Sequence, residues 1–306
     1  MIINIDKENV VVAGNGPSLK EIDYSRLPEK FDIFRTTQFY FEDKYYLGGG
    51  EVKAYINPPA NFFEHYYTLH YLTQKLEYSF EYKICKLYDF AYTGKKFEYF
   101  KKNFKKFFPD AFMSLEIPNK LDNLTNFNSL YYKNKMEIRT GIYAISLAAA
   151  LGYKRIYLIG FDGYKKDAIN YAFTMANKNL DKILKLKIKE LGEGFGKGII
   201  HSNEMDIQAL GFIQKNYKVE MLSLCPNSPL NQYINLAPQN FIYDKSFIKE
   251  KPKDSIKDIL IPPDIAYKQY RKMYLRPILE ENIYFRLIKD LIKLPSAVKN
   301  YLKIKL

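Results

Sequence analysis

The stretch NVVVAGNGPSLKE, residues 9–21, constrains this chain more than any other. Val10 to Ala13 are apolar without alternation, which marks a short strand buried on both faces of a parallel sheet. Gly14 and Gly16 permit a tight turn, Pro17 suits a first helical position, and Ser18 to Glu21 has the spacing of a capping box. Strand, glycine turn and helix start form the first crossover of a parallel α/β fold, whose free amides make an anion site.

The alternation continues along the chain. Residues 31–41 read as a second strand, 52–57 as a third stopped by Pro58 and Pro59, 61–76 as a helix and 81–90 as another strand. Residues 139–153 form a small-residue helix closed by Gly152, and 154–164 a buried strand ending in Gly-Phe-Asp-Gly. A helix over 205–217 and a returning strand over 218–226 follow. This order predicts an α/β fold, a Rossmann-like parallel sheet with helices on both faces. Ligands in such sheets sit outside the carboxyl ends of the strands, where this chain places Asn15, Thr37, Gln38, Asn57 and Asp162.

After Tyr164 the pattern breaks. Residues 165–200 are rich in lysine and end in LGEGFGKGII, just before His201. A phosphate loop of the Walker type needs a strand before it and Lys-Ser/Thr at its end; here Lys197 precedes Gly198. An excursion of this length is more often a lid, and its glycines read as a hinge. Of the three histidines, His65 and His70 lie on a helix among tyrosines and read as structural, whereas His201 opens a helix directly after the hinge.

Composition narrows the partners. The net charge of +13 points to an anionic partner, and 40 of the 47 basic residues are lysine. Base-reading proteins rely on the arginine fork, so this argues against sequence-specific nucleic-acid binding. Cys85 and Cys225 make no disulfide framework, and no Cys/His spacing suits zinc. The N-terminus lacks the pattern of a signal peptide, and no run of apolar residues is long enough to span a membrane. Leu279, Ile283, Leu287 and Leu291 recur at helical spacing over 279–294, with Arg286, Lys289 and Lys293 on another side. This basic amphipathic helix lies in a tail, 271–306, of net charge +6, suited to an anionic membrane surface.

Several blocks together resemble one family. VVVAGNGPSLKEIDYSRLP, QFYFEDKYYLG, TGIYAISLAAALGYKRIYLIGFDGY, YAF at 171–173, HSNEMDIQAL, LCPNSPL and LIKDLIKLPS are similar to blocks of the bacterial lipooligosaccharide sialyltransferases of glycosyltransferase family 42. They occur in the family's order over nearly the whole chain, with residues 90–135 least similar. The resemblance implies inverting transfer of sialic acid from CMP-sialic acid to a terminal galactose or sialic acid, α-2,3 and/or α-2,8. It implies a GT-A variant without cofactor or metal: a nucleotide-sugar-binding domain over 1–163 and 201–270, a lid over 164–200 and a membrane-associating tail over 271–306. It also implies a homotetramer, peripheral on the cytoplasmic face of the inner membrane, with a glycolipid or oligosaccharide acceptor and no nucleic-acid partner.

Carried over by position, His201 falls on the family's general base, and Tyr164 and Tyr171 on tyrosines that hydrogen-bond the leaving phosphate. Asn15, Gly16, Gln38, Asn57, Thr140 and Asp162 fall on donor-site positions. Two departures stand out. Thr37 replaces an asparagine common in relatives, and Glu137 takes an arginine's place while Arg139, a further substrate-binding candidate, stands two positions later. Two alternatives remain beside this reading: a transferase for another CMP-activated acid sugar, and a non-catalytic basic membrane-binding protein.

Overall fold

A computed structural model describes residues 3–87, 95–117, 138–163, 171–173, 179, 182–183, 203–240, 247–267, 269 and 283–305. The strands are β1 (Asn9–Ala13), β2 (Asp32–Thr36), β3 (Lys44–Tyr45), β4 (Gly50–Asn57), β5 (Tyr78–Cys85), β6 (Ala111–Met113), β7 (Arg155–Ile159), β8 (Glu220–Ser223), β9 (Asn235–Leu236) and β10 (Lys249–Glu250). The helices are α1 (Phe62–Gln74), α2 (Lys95–Phe107), α3 (Thr140–Leu151), α4 (Asn203–Tyr217) and α5 (Ile283–Lys305). The chain divides into two compact units, one of Met1–Ala91 with Asp110–Ile261, the other of Tyr92–Pro109 with Pro262–Leu306.

The larger unit is built on an eight-stranded sheet in the order β6-β5-β4-β2-β1-β7-β8-β9, parallel at every pairing. Strand order runs one way from β1 through β2 to β6 and the other way from β7 to β9, so the switch point lies between β1 and β7. As the unbroken apolar run requires, Val10 to Ala13 have no exposed surface. Helix α3 is buried from Ile142 to Ala150, as its lack of a polar face requires, and packs on β1, β2, β4 and β7. Gly152 ends it at φ 101°, a left-handed conformation that costs glycine nothing.

Two sequence expectations change. Pro17–Glu21 forms a short 3₁₀ turn, not an α-helix with a capping box. Its N-cap is Gly16, and the Ser18 hydroxyl, which the box would have used, donates instead to Asp162. In the smaller unit α5 runs to Lys305 and passes through Pro295, beyond the expected end near 294. The proline costs the helix one hydrogen bond without ending it. The lid excursion lies outside the described residues except 171–173, 179 and 182–183.

Beneath the second crossover lies a buried ion pair. Arg35 of β2 donates to Glu42, both side chains are almost without exposure, and the Arg35 guanidinium carbon lies 4.7 Å from the Phe39 ring centroid. Burial holds the Glu42 carboxyl above the usual carboxylate range, and the neighbouring Arg35 limits the rise.

Candidate active site

The loops after β1 and β7 cross at the switch point, and glycine makes the crossing possible. Gly14 N–H donates to the Ile159 carbonyl (2.8 Å) and Gly16 N–H to the Gly160 carbonyl (2.9 Å). A Cβ on Gly14 would lie 2.3 Å from the Gly160 carbonyl oxygen, and Gly160 itself takes φ 66°. No side chain fits between these two backbones.

Above the crossing opens a cleft of ≈ 690 Å³. Its floor is Gly14, Asn15, Gly16 and Gly160–Gly163, one wall is Thr36–Gln38, and another is Arg139–Ile142 at the start of α3. Tyr171, Asn203, Asp206, Ile207 and Leu210 complete one side, and Pro229, Leu230, Gln232 and Tyr233 the other. Polar loop residues thus face sides that mix apolar Ile207, Leu210, Pro229 and Leu230 with a few polar groups, the usual make-up of a small-molecule site.

Asn15 is the most informative residue in the floor. It is nearly buried, and its amide nitrogen donates to Thr37 Oγ1 (2.9 Å) and the Thr36 carbonyl (3.3 Å). Its Oδ1 is buried without a hydrogen-bond partner among the described residues. An unmet buried acceptor costs about 1–3 kcal/mol, so the position suits a ligand donor such as an exocyclic amine or a ribose hydroxyl. Thr37 is held at φ 47°, an outlier for a β-branched residue. Three bonds hold it there: Asn15 Nδ2 to its Oγ1, its N–H to the Ile56 carbonyl (3.1 Å), and the Tyr55 hydroxyl to its carbonyl (2.9 Å).

Asp162 does something the sequence did not reveal. Its Oδ2 accepts from both the Ser18 amide (2.9 Å) and the Ser18 hydroxyl (3.0 Å), across 144 residues. A Cβ on Gly16 would lie 2.2 Å from that oxygen. The amide expected to bind an external anion at this turn is therefore capped by the protein's own carboxylate. The amide end that opens on the cleft is that of α3, where Thr140, Gly141 and Ile142 line the wall. Twelve aligned peptides give this end a positive partial charge that attracts an anion.

Arg139 stands at that same end and pairs with Asp206. Its guanidinium donates to Oδ2, and its backbone N–H donates to Oδ1 (3.2 Å). The pair ties the start of α3 to the first turn of α4, two residues after the histidine that the sequence marks as base. Tyr171 reaches the cleft because its neighbour is anchored: the Ala172 N–H donates to the Asn15 carbonyl (2.8 Å), and the Tyr171 and Phe173 rings stack at 5.8 Å. Behind the crossing, burial pushes the Cys225 thiol up to about 12, which leaves it protonated and inert.

The structure brings Asn15, Gly16, Gln38, Arg139, Thr140, Asp162 and Tyr171 into one cleft. Asn57 does not line it: at the end of β4 it is fully buried, and its amide donates to the Pro58 carbonyl (2.8 Å) and Asn61 Oδ1 (2.9 Å). His201 and Tyr164 lie outside the described residues. Sequence reasoning missed Asp206, Tyr233 and the capping role of Ser18. Asp206 lies inside the conspicuous block HSNEMDIQAL, but its partner Arg139 is 67 residues away; Tyr233 stands three residues beyond LCPNSPL, at the cleft edge.

The comparisons with known proteins agree with this geometry. The profile of a family described as alpha-2,3-sialyltransferase (CST-I) matches residues 8–305. The sialyltransferase CstII from Campylobacter jejuni, solved with cytidine-5'-monophosphate, is 41% identical with a TM-score of 0.73, covering 89% of this chain and 100% of its own. CST-II solved with a trisaccharide acceptor and CMP is 42% identical with a TM-score of 0.71, covering 86% and 99%. The monofunctional alpha-2,3-sialyltransferase Cst-I from Campylobacter jejuni is 34% identical with a TM-score of 0.73, covering 89% and 95%.

Proposed function

The chain belongs to the alpha-2,3-sialyltransferase (CST-I) family, and on that premise we propose that its cleft binds CMP-sialic acid and passes the sugar, with inversion, to a terminal galactose or sialic acid of a lipooligosaccharide. The observation that carries this is the buried Oδ1 of Asn15, without a partner among the described residues, at the β1–β7 switch point beside the amide end of α3. One offers an acceptor to a nucleoside, the other a positive field to its anionic groups. That relatives were solved with CMP and with a trisaccharide supports a nucleotide-sugar donor and an oligosaccharide acceptor for this cleft.

The reaction breaks the bond between the anomeric carbon and the phosphate oxygen and forms one to the acceptor oxygen. CMP leaves with the electron pair, and the acceptor proton goes to a base. Tyr171 and Tyr164 donate hydrogen bonds to the departing phosphate, each contributing about 10²–10³ in rate. No Asp-x-Asp triplet occurs in the sequence, and on this reading the phenols serve where other GT-A enzymes hold a metal. His201 takes the proton, a role worth about 10²–10⁴. Gln38, Thr140 and Asp162 bind the donor, and Arg139 sets the geometry near its carboxylate.

The finer architecture belongs to the same reading: a GT-A-type core over 1–163 and 201–270, and a lid over 164–200 that closes to exclude water. The tail over 271–306 lies on the cytoplasmic face of the inner membrane, and the enzyme works as a homotetramer. The exposed apolar residues of α5 support the membrane contact, while no helix among the described residues is long and apolar enough to cross a bilayer. The linkage is α-2,3, α-2,8 or both.

The test is turnover of CMP-sialic acid with a lactose-type acceptor in EDTA, alongside His201→Ala. Sialylated product from the wild type, lost in the variant, is the expected result. CMP release without product points to another acceptor, and no turnover across a range of acceptors sinks the reading.

A further inference from the structure

Charge is divided unevenly between the two units. Tyr92–Pro109 and Pro262–Leu306 hold sixteen lysines and arginines against five acids, a net of +11 out of the chain's +13. The larger unit carries the remaining +2. Much of the excess in the smaller unit is not in the tail at all. It lies in α2, KKFEYFKKNFKKF, where six lysines stand against Glu98 alone.

Helix α2 is strongly two-sided. Phe100 and Phe104 are fully buried, with ring centroids 5.5 Å apart, while Lys102, Lys105 and Lys106 are exposed. Glu98, its single acid, is engaged by Lys101 at 3.1 Å. Lys102, Lys105 and Lys106, at i, i+3 and i+4, form one exposed charged face of α2. Helix α5, in the same unit, offers the complement: Ile283, Leu287, Ile288, Leu291 and Ile292 are each more than half exposed. Stable attachment to a bilayer takes two signals, and a charged face with an apolar stripe supplies them.

We propose that α2 is a second lipid-contacting element, its Lys102, Lys105 and Lys106 face binding the anionic headgroups of the bilayer on which α5 rests. This inference rests on the reading of α5 as membrane-associating. Charge calls for an anionic partner, and the chemistry of the two helices selects a lipid surface over nucleic acid. The basic residues of α2 are all lysine, point charges without the fork that reads bases. The aliphatic stripe of α5 has a counterpart in acyl chains and none in a polynucleotide. Each lysine held near an anionic leaflet contributes roughly fivefold to partitioning, so the three together contribute roughly a hundredfold. The effect fades with salt, because exposed charges are screened.

Vesicle co-sedimentation of the full chain tests this, with phosphatidylcholine alone and mixed with phosphatidylserine, at low and high salt. The variants are Lys102→Gln/Lys105→Gln/Lys106→Gln and, separately, Leu287→Asp/Leu291→Asp. The expected result is a loss of tenfold or more for the lysine variant on anionic vesicles at low salt, with thermal midpoint and turnover of a soluble acceptor unchanged. If the lysine variant binds as the wild type does while the leucine variant fails, α2 is a bystander and the reading of α5 survives. If the leucine variant binds normally, the reading of α5 falls instead. A single-stranded oligonucleotide that loses its binding in the lysine variant, with vesicle binding intact, would overturn the proposal in favour of nucleic acid.

Discussion

The two units solve opposite problems with polar residues. The larger one is almost neutral and takes charges into its interior in pairs: Arg35 with Glu42, both buried, and Arg139, partly buried, with Asp206. The smaller one leaves lysines and aliphatic side chains exposed on helices. Polar groups inside the first unit are costly to disturb because each was removed from water to make one geometry. Those of the second are cheap one at a time and act as a sum. On the proposed reading, an enzyme that binds a small anion and lies on a surface needs both arrangements, and the two units divide them.

The sharpest way to break this contrast is to remove one charge from each unit. Glu42→Gln leaves Arg35 buried without its counter-ion, and chemical unfolding should show a loss of about 3–5 kcal/mol. Lys106→Gln, on an exposed face, should stay within about 0.5 kcal/mol. Equal effects would end the comparison. Next in size is Tyr171→Phe, which removes a phenolic donor and keeps the ring stacked on Phe173. Its kcat should fall by about 10²–10³ with vesicle binding and thermal midpoint unchanged.

The Arg139–Asp206 pair sharpens the contrast within the first unit. Asp206→Asn keeps the shape and removes the charge that holds the guanidinium, and should cost about 1–3 kcal/mol in kcat/KM. A double-mutant cycle with Arg139→Lys should show coupling, since the two act through one contact. Additive losses would mean that each acts alone.

The smallest expected effect is one of pH. Burial holds the His70 imidazole below its usual value, and Lys83 adds to this while Asp110 opposes it. The folded state therefore binds fewer protons at this site than the unfolded state, so stability should fall as pH drops through about 6.5 and below. Replacing the residue, His70→Gln, should flatten that limb of a plot of thermal midpoint against pH. A slope that stays the same would place the titration elsewhere.

The sequence was most legible where local rules act alone. The apolar run of β1 demanded burial on both faces, and Gly152 announced the end of α3 through the only backbone geometry that suits it there. The glycines at 14 and 16 were read correctly as a turn, but not as a crossing, because the other backbone, at Gly160, is far along the chain. For the same reason the Ser18 hydroxyl looked like a cap for its own helix when its partner is Asp162. Pro295 shows the reverse case: proline is a common helix stop, yet α5 continues through it. The position of Asn57 shows a further limit, since a polar strand end in the right layer can turn into the protein instead of the cleft. Asn15, Gln38 and Asp162 could be placed at the cleft in advance because they stand at strand ends, where the fold class puts a ligand; Gly16, Arg139, Thr140 and Tyr171 were named through the family resemblance, since no local rule points to them.

One structure tests the central claim most directly, that the anionic donor goes to the nearly neutral unit and not to the lysine-rich one. It is a crystal structure of the chain with CMP. The account predicts the nucleotide in the cleft over Gly14–Gly16 and Gly160–Gly163, with a donor group on Asn15 Oδ1 and no CMP held by the lysines of α2 or α5. Nucleotide bound against those lysines, with the cleft unchanged, would contradict it.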